Sequence, residues 1–516
     1  MQYRTQPFVS FCVVTLLFVF TLTPASPPQA ALPPDAAQAL RKLPNQQLSM
    51  DLVLAKALAS SDSFRAVSSK KQSIESDREQ ALTPLGVQLY ASGTRAENKN
   101  KEGSVFDATE TKTLSIGASK YFRSGTLFSG EISDSQSLLP AGNTFQPENR
   151  TTTKIKLVQN LWKDSFGYFI RSQAAAGELS SAASALEYQK ATEDWAVDLI
   201  QVYYVAWLAK AQLAATKTGL DRRKRLLDIT RLKLNRGTAE RPDYLQVESA
   251  WLDSKATYEQ AAHDLQEMWR ELVTTLKLPI QWIHLPAELI PLALDQPTPE
   301  AVRICSSRSQ ATSPPTITLN EKIWKARAQA SELKLAASKN AKNPELNLFG
   351  SYATGGSLGT ASERMDSALS SQNPEWLMGL EFKMPLEWHA EKAQLGRDAA
   401  MYQQSQALYS KARSDGFNGW INGCAKLKTL TETFQAHEKA ARNLAERAAL
   451  EERRFQTGRT PTLNVILAGD DQSGAELKMN QSKIQLNRAA WEILKLDGQI
   501  ESYLQQASNR FQNIEL

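Results

Sequence analysis

Leu234-Asn-Arg-Gly-Thr-Ala-Glu-Arg-Pro-Asp-Tyr-Leu245 and Phe455-Gln-Thr-Gly-Arg-Thr-Pro-Thr-Leu-Asn-Val-Ile466 repeat one punctuation. Each has a glycine, Gly237 or Gly458, that can end a helix, and six residues on Asp243 or Asn464, able to cap the next one by accepting its free N–H groups. Apolar positions then open a second polar, alanine-containing helix. Upstream of the first segment, Trp195, Leu199, Val202, Ala206, Ala209 and Leu213 step by three and four, which predicts a helix packed along a seam. Val205 and Leu208 add a second apolar face, as for a helix that touches neighbours on two sides. Leu226, Ile229, Lys233 and Arg236 carry the pattern on with more charge. From Ser165 to Leu278 the sole proline is Pro242, and Gly219 marks a place for a break or a bend.

Working outward, the pattern recurs. Leu48 to about Thr83 and Leu319 to Lys342 read as helices, and about Ala390 to Ala507 reads as long helix broken near Gly458. Between them lie two islands of period two. In the later one Leu346, Leu348, Gly350 and Tyr352 alternate with Asn347, Phe349 and Ser351. Trp376, Met378, Leu380, Phe382 and Met384 then alternate with Leu377, Gly379, Glu381 and Lys383. A polar Gly/Ser-rich loop, Thr354 to Asn373, is expected between them. The earlier island alternates at Val87–Ser92 and Lys154–Leu157. Leu114, Ile116, Ala118, Phe128, Gly130 and Ile132 predict a further hairpin turning at Arg123–Gly125. Apolar groups on one face and polar groups on the other suit a strand between lipid and water. They also suit a small soluble sheet with one buried face. One chain has too few strands to close a barrel, so a barrel requires several chains. Pro279 to Pro315 is proline-rich and aperiodic and reads as a connector.

Composition excludes other classes. Val9 to Leu22 is almost wholly apolar and is followed by Pro24, Pro27 and Pro28, which predicts an export signal cut after Ala25 or near Ala30, the alternative being an uncleaved anchor. Three cysteines in 516 residues give no disulfide framework, with Cys12 in the apolar leader and Cys305 and Cys424 far apart. No cysteine follows the leader as a lipid-anchor site. Four histidines, none at ligand spacing, leave no expected metal site. The net charge of +5 is spread along the chain and does not predict nucleic-acid binding. No phosphate loop, nucleophile elbow or metal motif is present, so neither an enzyme nor a cofactor is expected.

The paired helix-turn-helix segments, the strand-to-helix turn Met384-Pro-Leu-Glu-Trp388 and the strand Pro344-Glu-Leu-Asn-Leu-Phe-Gly resemble the TolC-like outer-membrane efflux family over nearly the whole mature chain. There are departures. Asn160 stands in Gln159-Asn-Leu-Trp162 where the family usually has proline, and Asn464 replaces the usual aspartate. The hairpin near 121–132 lengthens the first island.

The resemblance implies a mainly α fold with a transmembrane β part. Three chains would pool their helices into a periplasmic tunnel and their strands into one outer-membrane barrel. Each chain would comprise a signal peptide (1–30), a first repeat (31–278, strands within 84–162), a linker (279–317) and a second repeat (318–516, strands within 344–388). It implies passive conduction for an efflux or type I secretion system, with a periplasmic adaptor and an inner-membrane pump as partners. Gly237, Thr238, Arg241, Asp243, Gly458, Arg459, Thr460 and Asn464 would face the adaptor, and Glu248, Asp470 and Asp471 would form an acidic constriction. A periplasmic coiled-coil adaptor or scaffold without a barrel is the alternative; it accounts for the helices and leaves the alternating islands unexplained.

Overall fold

The computed structural model describes Leu43 and residues 46–97, 110–138, 148–307, 317–357, 359–370 and 373–511. The export leader expected at 1–30 lies outside the described residues.

Two helices dominate. Tyr168–Asn235 (α3, after α1 Met50–Ser60 and α2 Asp62–Leu82) and His389–Gln456 (α8) each run for 68 residues, about 100 Å at 1.5 Å per residue. Each turns back into a helix of 35 residues, α4 (Arg241–Thr275) and α9 (Thr462–Leu496). Every one of these boundaries recurs 221 positions later in the chain: 168 and 389, 235 and 456, 241 and 462, 275 and 496. This is an internal duplication at the level of helix lengths. α3 runs unbroken through Gly219, where the missing side chain faces Ser473 of α9. The helix expected from Leu48 divides at Ser61, whose hydroxyl meets that of Ser63 while the hydroxyl of Ser60 donates to the carbonyl of Leu276. Such local hydroxyl bonds compete with the helical ladder.

Six strands form one antiparallel sheet in chain order: β1 Val87–Glu97, β2 Glu110–Tyr121, β3 Thr126–Leu138, β4 Glu148–Asn160, β5 Glu345–Gly356 and β6 Glu375–Lys383. The strand islands of the two repeats meet where β4 pairs with β5. α6 (Leu319–Ala341) leads into β5. The expected loop between β5 and β6 carries a short helix, α7 (Ala361–Leu369), closed at its start by a reciprocal Thr360–Glu363 capping box.

The principal core lies at the waist of the long helices. Tyr203 and Tyr204 of α3, Trp269 of α4 and Trp491 of α9 are fully buried there. The stretch expected as a mere connector packs into that core. Trp282, Leu285, Ile290 and Leu292 are buried, and α5 (Thr298–Ser307) adds Ala301 and Ile304. Trp269 Nε1 donates to the carbonyl of Trp282 at 2.6 Å, and Tyr203 Oη donates to the carbonyl of Leu48 at 2.6 Å. Before α5, the proline-fixed turns of residues 279–297 bury their apolar side chains without a helical or strand period, which is why periodicity missed them. α10 (Ile500–Phe511) completes the belt with Ile500, Leu504 and Ala507.

The cysteine reading needs correction. Cys305 and Cys424, 119 positions apart, are bridged with their Cα atoms 5.7 Å apart. The disulfide ties α5 of the belt to α8. Sequence distance says nothing of spatial distance when a chain folds back on itself at this scale.

Candidate functional site

The two helix-turn-helix ends are built alike. Gly237 and Gly458 adopt φ of +70° and +72°, the left-handed conformation that a β-carbon disfavours. Behind each, the helix closes with paired backbone bonds. The N–H groups of Gly237 and Thr238 donate to the carbonyls of Leu234 and Lys233. Those of Gly458 and Arg459 donate to the carbonyls of Phe455 and Arg454. This is the Schellman closure. The expected capping by Asp243 and Asn464 is not what the structure has. α4 and α9 begin at Arg241 and Thr462, so both residues sit one turn too late to cap, and neither helix has a side-chain cap. Asp243 still places a negative charge against the amino end of α4, whereas Asn464 Nδ2 donates to Thr460 Oγ1 at 3.2 Å. Gly237, Thr238, Arg241, Gly458, Arg459 and Asn464 are exposed, Thr460 and Asp243 partly so.

A small apolar cluster, Leu226, Val247, Phe455 and Val465, joins the two ends. Over it, Lys233 Nζ lies 3.8 Å from the centre of the Phe455 ring and donates to the Phe455 carbonyl at 3.0 Å. The sequence reading had Lys233 as a charged member of the stripe and missed this role.

The three candidate acids are not equivalent. Glu248 Oε1 accepts from Tyr244 Oη at 3.1 Å on its own helix. Asp470 and Asp471, on α9, are each held by an arginine from a different helix. Arg223 of α3 pairs with Asp470 and also donates to the carbonyl of Ala250 at 2.7 Å. Arg447 of α8 pairs with Asp471 at 2.8 Å. These bonds lash α9 to both long helices. The cationic partners were not legible in the sequence, because arginine on a long polar helix carries no mark of which distant acid it meets.

The sheet divides its residues by face. Residues directly opposite in the register share a face. One face therefore carries Val87 and Leu89, then Leu114 and Ile116, Phe128 and Ile132, Ile155 and Leu157, Leu348 and Tyr352, and Trp376, Met378 and Leu380. Leu89, Leu114, Ile116, Trp376 and Met378 are 63–82 % exposed in the single chain. The opposite face carries mainly Ser, Thr, Gln, Glu and Lys. There Tyr90 Oη donates to Glu131 Oε2 at 2.8 Å, and Lys156 lies over the Phe349 ring. At the end distant from the helices the apolar face turns polar, and α7 covers it: Arg364 meets Asp134 at 3.5 Å and Thr354 Oγ1 donates to the carbonyl of Ala368. Among the described residues no helix is long and apolar enough to cross a membrane, and no cluster of His, Cys, Asp or Glu could hold a metal ion.

This chain, with two ends of paired helices at one pole and an amphipathic sheet at the other, is similar in fold to solved structures. The outer-membrane protein VceC of Vibrio cholerae is 14 % identical, with 86 % of this chain and 96 % of that chain covered and a TM-score of 0.63. The chain has the fold of these outer-membrane channels. The CmeC outer-membrane channel of Campylobacter jejuni is 13 % identical over 89 % of each chain, with a TM-score of 0.64. A membrane protein of Pseudomonas aeruginosa is 18 % identical over 89 % of this chain and 93 % of its own, with a TM-score of 0.61. No protein-family model matches the chain, and no curated protein matches it. The resemblance to TolC-like proteins thus stands in the fold, well below the identity at which sequence alone carries it.

Proposed function

We propose that the chain is one of three protomers of an outer-membrane duct that passively conducts cargo delivered by an inner-membrane pump. The observation that carries this reading is the amphipathic sheet with two open edges, continuous with helices about 100 Å long. Its apolar face has no partner within the chain, and an exposed apolar sheet face of this size marks a surface for another molecule. Lipid covers it if the strands of several copies close into a barrel, which also satisfies the edges. The long helices carry exposed apolar groups as well, Leu245 and Leu252 on α4, Ile421 and Leu450 on α8, and Leu463 and Leu467 on α9. Packing between copies would bury them and leave the charged remainder to line a tunnel.

In this reading residues 1–30 direct export. Residues 31–278 and 318–516 are the two repeats, and 279–317 is the linker whose described part, up to Ser307, forms the belt at the waist. The turn residues Gly237, Thr238, Arg241, Asp243, Gly458, Arg459, Thr460 and Asn464 dock a periplasmic adaptor. Glu248, Asp470 and Asp471 set the charge just inside the tips. Because arginines hold the two aspartates, Glu248 is the acid best placed to attract cations.

Cross-linking and mass determination on protein extracted from outer membranes in mild detergent test the proposal. A trimer is expected. A monomer recovered from the soluble periplasm would overturn the duct and leave a coiled-coil scaffold.

A further inference from the structure

The hairpin β2–β3 is where this chain departs from the pattern it resembles, and it is not an appendage to the sheet. It lies in the middle of the first four strands, hydrogen-bonded to β1 on one side and β4 on the other. Its strands of 12 and 13 residues exceed the length a tilted strand needs to cross a bilayer. Its apolar residues fall in register with those of its neighbours. Leu89 is opposite Ala118 and Ala118 opposite Gly130, which faces Ile155. Ala91 is opposite Ile116, and Ile116 opposite Ile132. The apolar face therefore runs across the hairpin without a gap. The polar face does the same through Ser115, Ser119, Ser129 and Ser133. In β2 the polar face is the enclosed one: Ser115 is 8 % exposed between Leu114 at 67 % and Ile116 at 63 %.

A second observation is independent of the faces. Asn160 occupies the strand-to-helix turn where the resemblance leads one to expect proline. Its backbone N–H donates to the carbonyl of Gly125 in the hairpin turn at 3.3 Å, and its Nδ2 donates to Tyr121 Oη at 2.7 Å. Tyr121 Oη in turn donates to Asp164 Oδ2 at 2.5 Å, and Asp164 Oδ1 accepts from the N–H of Phe169 at the start of α3. Proline could make neither Asn160 bond. At Gly125 a β-carbon would lie 2.3 Å from the backbone nitrogen of Gly167, so the turn is seated directly on the sheet–helix junction. The two departures are one structural feature, an anchored hairpin and the residue that anchors it.

We propose that β2 and β3 are membrane-spanning staves of the barrel wall, so that each chain supplies six strands and the lumen is wide enough for bulky hydrated cargo. This rests on the duct reading above. Three copies then close roughly eighteen strands, in the range where barrels keep an aqueous channel, and the barrel is about half as wide again as four strands per chain would make it. The staves line the lumen mainly with serine hydroxyls, together with the Glu131 carboxylate held by Tyr90, which suits polar solutes.

Single-cysteine variants of the full chain, reconstituted in lipid vesicles, test this with a charged, membrane-impermeant thiol reagent. Ser119→Cys, Ser129→Cys and Ser133→Cys are expected to react at least about tenfold faster than Leu114→Cys, Ile116→Cys and Phe128→Cys, because a charged reagent is excluded from hydrocarbon. Glu381→Cys and Leu380→Cys on β6 serve as the paired control. If β6 alternates and the hairpin reacts equally on both faces, the hairpin stands outside the membrane and the proposal falls while the duct survives. If β6 does not alternate either, the barrel itself is wrong and the proposal falls with it.

Discussion

Glu193 is the carboxyl group whose surroundings most contradict its charge. It is 2 % exposed on α3, and its Oε1 has no hydrogen-bond partner among the described residues. Burial pushes its pKa up to about 7, Glu501 and Asp194 adding to the effect and Lys495 and Lys322 opposing it. A pKa raised on folding means that the folded state holds the proton more tightly than the unfolded one. The resulting stability is full below the unfolded value near 4.5 and is lost as pH rises through about 7. Glu193→Gln should therefore flatten the decline in stability between pH 5 and pH 8, a decline on the order of 1–3 kcal/mol in the parent. Denaturant unfolding at the two pH values measures it, and parallel declines in parent and variant would remove the assignment. At the tips, Lys233→Met should loosen the joint between the two turns by about 1–2 kcal/mol, through loss of the ring contact and of the bond to the Phe455 carbonyl. Faster amide exchange in 455–466 than at the waist would register this; unchanged exchange would count against it. The sequence showed Lys233 as a charge on an apolar seam, but not its partner, since 222 positions separate them.

The elements were legible wherever their ends are written in residue types. Gly237 and Gly458 mark the two long-helix ends, and period-two alternation marks the strands down to the β2–β3 hairpin. The end of α4 was legible near Leu278, before Pro279, although Lys277 takes the left-handed conformation there (φ +50°); the parallel end of α9 at Gly498 was not, because the expected helix ran on to Ala507. Both sites close with the same backbone pattern, Leu278 N–H to the Val273 carbonyl and Gln499 N–H to the Leu494 carbonyl. The belt was illegible for another reason: proline-set turns bury Trp282 and Ile290 without a period. Its disulfide makes the belt testable as an element. Cys424→Ser, or reduction of the parent, opens a long loop and should cost about 2–4 kcal/mol. A thermal midpoint that falls with reductant in the parent and not in Cys424→Ser is the expected result. An equal response in both would mean that the bridge does not form.

At the scale of the whole molecule the sheet is incomplete by its own geometry, since β1 and β6 each pair on one side only. The residues of β1 are exposed along its whole length, and β6 exposes Trp376, Leu377, Met378, Leu380 and Phe382. Natural sheets blunt such edges with short strands, charge or proline, and β6 has no proline within it. An edge left this open fits pairing with a second copy. In an edge strand the N–H groups of successive residues point alternately to the inner neighbour and outward. Proline at Leu377 or at Met378 therefore removes one bond to β5 in one case and one outward N–H in the other. A free edge tolerates proline at the outward position, whereas an edge paired to the next chain tolerates it at neither. Leu377→Pro and Met378→Pro should thus both lose the trimer in detergent, with the helical circular dichroism of the long helices retained. Mass measurement by light scattering decides it, and a trimer that survives both substitutions, the outward one included, would show that β6 does not pair with another protomer.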